Sequence, residues 1–427
     1  MFKTNQSYHR VNRRNQRFTH GLVGMALLAG WMGAAAPDVL AQDHGVSKTT
    51  IRIGGVMALE GPSSGLGQNM KTGIEAALKG ATIQGRNIEF VALNDSYNPP
   101  ETINATRKLI DEGVFAMVGN VGTPTAQVSL PILAEQKIPA VGFFTGAGLL
   151  RPGVGTVINY RASYAQEIAT VVKTALQEGI KPNQICAFVQ NDSYGMAGLT
   201  GIVMALGKQP GAADIIAKLE QIIALPGEEP QRNGIGPVGV YKRNTFIVRD
   251  GYKSLKQWEN TTGDRCHLVV TVGVYEPITQ FMAYARKLKQ EPWIISAVSF
   301  TGAESLQAEF GKYDIREKII MTQVVPALGS SLPIVENAHK ALGDRLGPIS
   351  LEGYIVGKMF LAILDKAGNV PTRESFVEAA RGQRFDLGGL TLDFTDDNQG
   401  SDFVLTTVLR DGKFIVIPPQ ELAALFK

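Results

Sequence analysis

At 427 residues, 44% of them apolar and 19% charged, the chain can bury large cores and is read as two domains. Its formal charge of +3 is concentrated at the start. Without residues 1–41, 37 basic face 38 acidic side chains, which excludes a basic-patch argument for nucleic acid.

Residues 1–41 read as an export signal. Arg10, Arg13, Arg14 and Arg17 form a basic region, Gly21 to Ala36 an apolar one, and Val39-Leu40-Ala41 a small-residue cleavage site before Gln42. Cleavage after Ala36 is the rival. The apolar run of about 16 residues is short of the roughly 20 that span a bilayer. Asn15-Gln16-Arg17 continues Arg13-Arg14 poorly as a twin-arginine signal. A soluble mature protein in a bacterial periplasm is expected.

From Thr50 the pattern is strand then helix, repeated. Ile51–Met57, Ile88–Asn94, Val114–Val118 and Pro139–Phe143 read as strands, alternating with helices at Gly65–Lys79, Pro99–Asp111 and Thr123–Gln136. Helix Tyr164–Glu178, strand Gln184–Gln190 and helix Tyr194–Leu206 resume the series. Strands Thr245–Val248, Leu268–Val272 and Trp293–Val298 come next, with helix Pro277–Lys289 between the last two. Helices 332–345 and 349–367 follow, then short strands Leu387–Phe394, Phe403–Val408 and Phe414–Ile417. Near-continuous apolar strands argue for parallel sheets covered on both faces. Residues 207–240, rich in Gly and Pro around a helix Ala212–Ala224, read as an insertion or surface excursion.

Cys186 and Cys266 each start a predicted strand. Buried free thiols are expected, with a disulfide as the open alternative in an oxidising compartment. Neither has a second Cys at metal-ligand spacing, and no metal or cofactor is expected.

Two strings invite an enzyme reading. Gly61-Pro62-Ser63-Ser64-Gly65 matches a nucleophile elbow, but His267 precedes a strand, His339 lies in a helix and His44 lies upstream. Gly234-Ile235-Gly236-Pro237-Val238-Gly239 matches a dinucleotide fingerprint as a string only. It follows no strand, and Pro237 removes an N–H that phosphate would need.

What remains is a set of loops at C-terminal strand ends. Val118-Gly119-Asn120-Val121-Gly122-Thr123-Pro124-Thr125 and Gln190-Asn191-Asp192-Ser193-Tyr194-Gly195 each end a strand and open a helix. Helix N-termini favour an anion such as a carboxylate. Thr123 and Thr125 are placed either to donate hydroxyls to it or to cap the helix. Phe144, Thr145 and Gly146 follow the next strand, Tyr194 and Tyr275-Glu276 follow later ones, and Arg161 and Tyr164 lie where the chain crosses between domains.

With those residues in view, the chain resembles periplasmic substrate-binding proteins of the branched-chain amino acid ABC-transporter type, from about Ile51 to about Val416. The resemblance is strongest in Gly54–Gly73, Asn94 to Gly146, Asn159-Tyr160-Arg161-Ala162-Ser163-Tyr164 and Asn191–Gly198. It implies an α/β fold of two Rossmann-like lobes with parallel central sheets, joined by three hinge crossovers placed near Arg161, Val325 and Leu387. The boundaries that follow are 49–161 with 326–386 for one lobe and 162–325 with 387–427 for the other. It further implies that Thr123, Phe144, Thr145 and Gly146 hold a ligand carboxylate, with Tyr194 and Tyr275 adding aromatic contacts. Relatives that bind leucine or valine carry an acid for the ammonium in the loop after Trp293–Val298. Here that loop reads Ser299-Phe300-Thr301, leaving Glu276 as the nearest substitute. The expected function is that of a non-enzymatic, monomeric solute-binding protein. It captures an amino acid or organic acid for the membrane permease of an ABC importer, without nucleic acid or cofactor. A sensor module presenting ligand to a histidine kinase or chemoreceptor is one alternative, and a hydrolase using Ser63 is another.

Overall fold

A computed structural model describes residues 45–207, 209–227 and 229–427. The export signal read from residues 1–41 lies outside the described residues.

Strands β1 (Thr50–Met57), β2 (Thr82–Ile83), β3 (Arg86–Asn94), β4 (Met117–Val118), β5 (Ala140–Val141) and β6 (Val157–Ile158) form one sheet, in the order β2-β3-β1-β4-β5-β6. All but β2 run parallel, and β1 aligns Thr50 with Asn87 and Met57 with Asn94 of β3. Ile51, Ile53, Val56 and Met57 of β1 are buried together, as expected where helices cover both faces of a parallel sheet. Those helices include α1 (Ser64–Leu78), α2 (Pro99–Asp111) and α3 (Thr123–Glu135). Proline opens α2 and α3, where its missing N–H costs nothing.

The second sheet begins after α4 (Tyr164–Gln177). Its parallel strands are β7 (Ile185–Gln190), β8 (Val238–Tyr241), β9 (Leu268–Val272), β10 (Ile294–Ala297) and β11 (Ile319–Gln323). Helices α5 (Ser193–Leu206), α6 (Ala213–Ala224), α7 (Arg249–Thr262), α8 (Tyr275–Ala283) and α9 (Ala303–Lys312) connect them. The chain then returns to the first sheet with α10 (Pro333–Leu342), α11 (Pro348–Lys366) and α12 (Arg373–Ala380). A hairpin of β12 (Arg384–Asp386) and β13 (Thr391–Asp393) follows. Finally β14 (Leu405–Arg410) and β15 (Lys413–Val416) add an antiparallel edge to the second sheet, ordered β15-β14-β11-β10-β9-β7-β8, before α13 (Pro419–Ala424).

The α1–α11 crossing is a backbone-to-backbone contact. A Cβ on Gly73 would lie 2.0 Å from the Ser350 carbonyl oxygen, and one on Gly353 would lie 2.3 Å from that of Met70. Glycine is what allows two helices to approach this closely. The chain passes between the sheets at 159–163, 324–332 and 395–404. The last passage comes after Leu387, where a crossover was expected, because the β12–β13 hairpin intervenes and Phe394 donates its N–H to Gln383 beside it.

Three further expectations are corrected. Within the stretch read as an insertion or surface excursion, two elements are packed into the fold: α6 buries Ile215, Leu219 and Ile222, and Val238–Tyr241 is strand β8. The strand expected at Thr245–Val248 is an irregular loop with Phe246 and Ile247 exposed. Cys186 and Cys266 are disulfide-bonded, not free thiols, their Cα atoms 5.8 Å apart across the β7–β9 pair. No described helix is long and apolar enough to cross a membrane.

Candidate functional site

The C-terminal ends of both sheets face one buried seam. Gly122, at φ +109°, turns the chain out of β4 into α3, and a Cβ there would lie 2.3 Å from the Tyr97 ring. This tight turn sets the two threonines apart. Thr125 donates its hydroxyl to the Val121 carbonyl at 2.6 Å, an internal bond within the helix start. The Thr123 hydroxyl instead lies 2.7 Å from that of Thr145, and the Tyr164 hydroxyl reaches Thr145 at 3.3 Å. Gly146 is in place because Tyr164 packs on it: a Cβ would fall 2.7 Å from the ring.

On the facing side, Asp192 caps α5 by accepting the Tyr194 N–H at 3.0 Å, and Ser163 with Gln166 forms a capping box at the start of α4. These caps bring Tyr164 and Tyr194 together, ring centroids 5.3 Å apart. Phe300, from the loop after β10, lies 4.8 Å from both Phe144 and Tyr194. Burial pushes the Tyr97 and Tyr194 phenols well above their ordinary range and that of Tyr164 up to about 12, so all three remain neutral.

Arg161 lies behind the rings, its guanidinium carbon 5.1 Å from the Phe144 centroid and 5.7 Å from that of Tyr164. Its Nη2 donates to Glu167 at 3.0 Å and to the Ser299 hydroxyl. Glu167 also accepts the Ser299 N–H at 2.8 Å and the Thr322 hydroxyl at 2.6 Å. Glu352, on α11, stands 3.6 Å from Nη1. Burial works against the Arg161 charge, but Glu352 and Glu167 hold its pKa above the ordinary value. Burial likewise pushes the Glu352 carboxyl up to about 7, against the pull of Arg161.

Several buried donors here have no hydrogen-bond partner, Nε and Nη1 of Arg161 and Nδ2 of Asn120 among them, and the hydroxyls of Tyr194 and Thr301 have none beyond each other. An unsatisfied buried donor costs about 1–3 kcal/mol. A carboxylate, with two oxygens and about four lone-pair sites, is suited to accept from several at once.

The structure thus brings Thr123, Phe144, Thr145, Gly146, Arg161, Tyr194 and Ser299 to one seam. Tyr275 lies at its edge, its hydroxyl 3.4 Å from the Gly65 nitrogen of the facing layer. Glu276 is half-buried on α8, and its charged neighbours are Glu309 and Lys312 of α9. Lys312 is itself exposed and paired with Glu309, so Glu276 belongs with outer charges. Sequence reasoning missed Tyr97, Glu167, Phe300 and Glu352 as site residues. Two of these had a readable signal, an acid inside an otherwise apolar helical face. Ser63 precedes α1, and neither described histidine serves it: His339 bonds the Leu328 carbonyl, and His267 lies beside β9. Among the described residues no cluster of His, Cys, Asp or Glu is placed to hold a metal.

Residues 50–218 match the family of periplasmic binding proteins. A possible leucine/isoleucine/valine-binding protein from Rhodopirellula baltica SH 1 is 34% identical. It superposes with a TM-score of 0.77 over 90% of this chain and 100% of its own. The Leu/Ile/Val-binding protein of Escherichia coli K12 is 26% identical over 203 residues, 45% of this chain and 52% of that protein. The chain therefore spans about half the length of the curated relatives it matches. An ABC-transporter solute-binding protein from R. palustris, in complex with 4-hydroxybenzoate, shares the fold at 18% identity and a TM-score of 0.66, covering 86% and 95% of the two chains.

Proposed function

The chain belongs to the periplasmic binding proteins of the Leu/Ile/Val type, and from that premise we propose that it captures a small carboxylate-bearing solute between its two sheets. It delivers that solute to the permease of an ABC importer. Each sheet with its helices acts as a lobe, divided near residues 161, 325 and 400, and the pair closes over the ligand. Thr123 and Thr145 present hydroxyls from one lobe and Tyr194 from the other, with Arg161 supplying positive charge between them. Phe144 and Gly146 form the wall beside Thr145, Tyr275 closes the edge, and Ser299 orients Arg161.

The observation that carries this reading is that buried donors without a hydrogen-bond partner, Nε and Nη1 of Arg161 and Nδ2 of Asn120, outnumber the open carboxylate oxygen beside them, Oε1 of Glu352. An amino-acid ammonium would need free acceptors instead. Of the two nearby acids, Glu167 has bonds to both oxygens, whereas Glu352 Oε1, 3.6 Å from Arg161, has no hydrogen-bond partner and is the acceptor an ammonium would have to use. Thermal-shift screening of the chain from Gln42 against aliphatic and aromatic carboxylates and amino acids tests the reading. Selective binding to the folded state raises Tm by mass action. Carboxylates lacking an amine are expected to raise it, and Thr145→Val to weaken them. A response confined to amino acids would overturn the carboxylate assignment.

A further inference from the structure

Phe300 is carried by the single turn Ser299–Thr301 that leads from β10 towards α9. Its ring is fully buried and touches rings of both layers. From the first come Phe144 at 4.8 Å and Tyr97 at 6.3 Å; from the second, Tyr194 at 4.8 Å and Tyr164 at 6.5 Å. Phe300 is thus a second-layer side chain that crosses the seam. The turn beneath it is tied down on one side by Ser299, which bonds Glu167 through both its N–H and its hydroxyl. Freedom is left mainly to the side-chain torsions.

The chemistry around this ring is mismatched. A hydrocarbon ring supplies no acceptor oxygen to Nε and Nη1 of Arg161, which have no hydrogen-bond partner, and leaves the hydroxyls of Tyr194 and Thr301 with none beyond each other. A ligand combining a carboxylate with an apolar body would satisfy the same cage better. We infer that Phe300 is an internal plug: its ring takes the place of the ligand's apolar part, and its bulk sets the largest solute that the seam accepts. This rests on the capture reading above. When the binding-competent arrangement is only partly populated, apparent affinity falls by that fraction, and removing the plug removes the penalty. Because the same ring joins the layers, removing it also loosens the closed, ligand-free arrangement.

Calorimetry on the wild type, Phe300→Ala and Phe300→Leu, with benzoate against propionate and phenylalanine against glycine, tests size selection. Phe300→Ala is expected to bind benzoate about tenfold more tightly, with Phe300→Leu between and propionate within about twofold of wild type. Small-angle scattering without ligand supplies a readout independent of ligand chemistry: the radius of gyration should rise in Phe300→Ala. Weaker benzoate binding in both variants would make the ring a contact wall and overturn the plug. So would an unchanged benzoate-to-propionate ratio with unchanged scattering. If only phenylalanine gains affinity, the carboxylate reading fails while the plug stands. Should Phe300→Ala fail to fold, the sign of the effect is read from Phe300→Leu.

Discussion

Two neighbouring regions of the seam are held by different forces. Around Arg161, charges and hydroxyls from α4, β11 and the Ser299 turn fix one another through short, directional bonds, and Glu352 of α11 adds its charge 3.6 Å away. Around Phe300, rings from both layers meet at tilted or edge-on angles with centroids 4.8 to 6.5 Å apart. The first arrangement is costly to leave incomplete, because a buried charge needs its partner. The second is a sum of weak contacts that tolerates a change of shape. On the proposed function, a protein that keeps its hinge while exchanging what lies between its layers has use for both.

The sharpest break of that contrast is Arg161→Met. It leaves Glu167 and Glu352 buried without their cation, and should cost about 3–5 kcal/mol of stability, read as a lowered urea midpoint. Next is the pH dependence of Glu352. Its carboxyl is raised from 4.5 to about 7 in the fold, so the folded state holds a proton that the unfolded state has released. Stability should therefore fall by about 1–3 kcal/mol as pH rises from 4.5 towards 7, then level off. Glu352→Gln should flatten that slope in melts taken between pH 4 and 8, and an unchanged slope would shift the titration to another group. Phe144→Leu, a change of shape within the ring cage, should cost only about 1 kcal/mol by the same urea titration. The smallest effect on stability belongs to Tyr194→Phe. Deleting a buried hydroxyl that has no partner beyond Thr301 should change Tm little, while carboxylate affinity drops. A clear loss of Tm would reveal a bond that the hydroxyl makes in the unliganded protein.

Much of this architecture was legible in the sequence because parallel strands buried on both faces are written as continuous apolar runs. Ile51–Met57, Gln184–Gln190 and Leu268–Val272 all match strands of the fold to within a residue. The misplaced strand shows where that signal misleads. Thr245–Val248 has the right composition, but it is Val238–Tyr241, inside a Gly- and Pro-rich stretch, that pairs with β7. Gly239 belongs in this strand because a Cβ there would lie 2.1 Å from the Gly251 carbonyl oxygen at the start of α7. The need for glycine is set by a neighbour that local pattern does not contain. The candidate site divided in the same way. Thr123, Thr145 and Tyr194 follow from their position at strand ends. Tyr97 and Phe300 are known as partners only once two layers face each other, and Glu276 shows that a strand-end position alone does not aim a side chain inward.

The glycine-lined crossing of α1 and α11 constrains how the molecule assembles. Lys358 donates to the carbonyl of Ala77, 281 residues earlier, and all of β7 to β11 lies between them. One face of the first sheet thus stays uncovered until most of the chain has emerged. The second sheet can gather β7 to β11 from a continuous stretch of sequence, with only its edge waiting for the end. Contacts of such long range delay folding, which leaves the early strands unprotected for longest during synthesis.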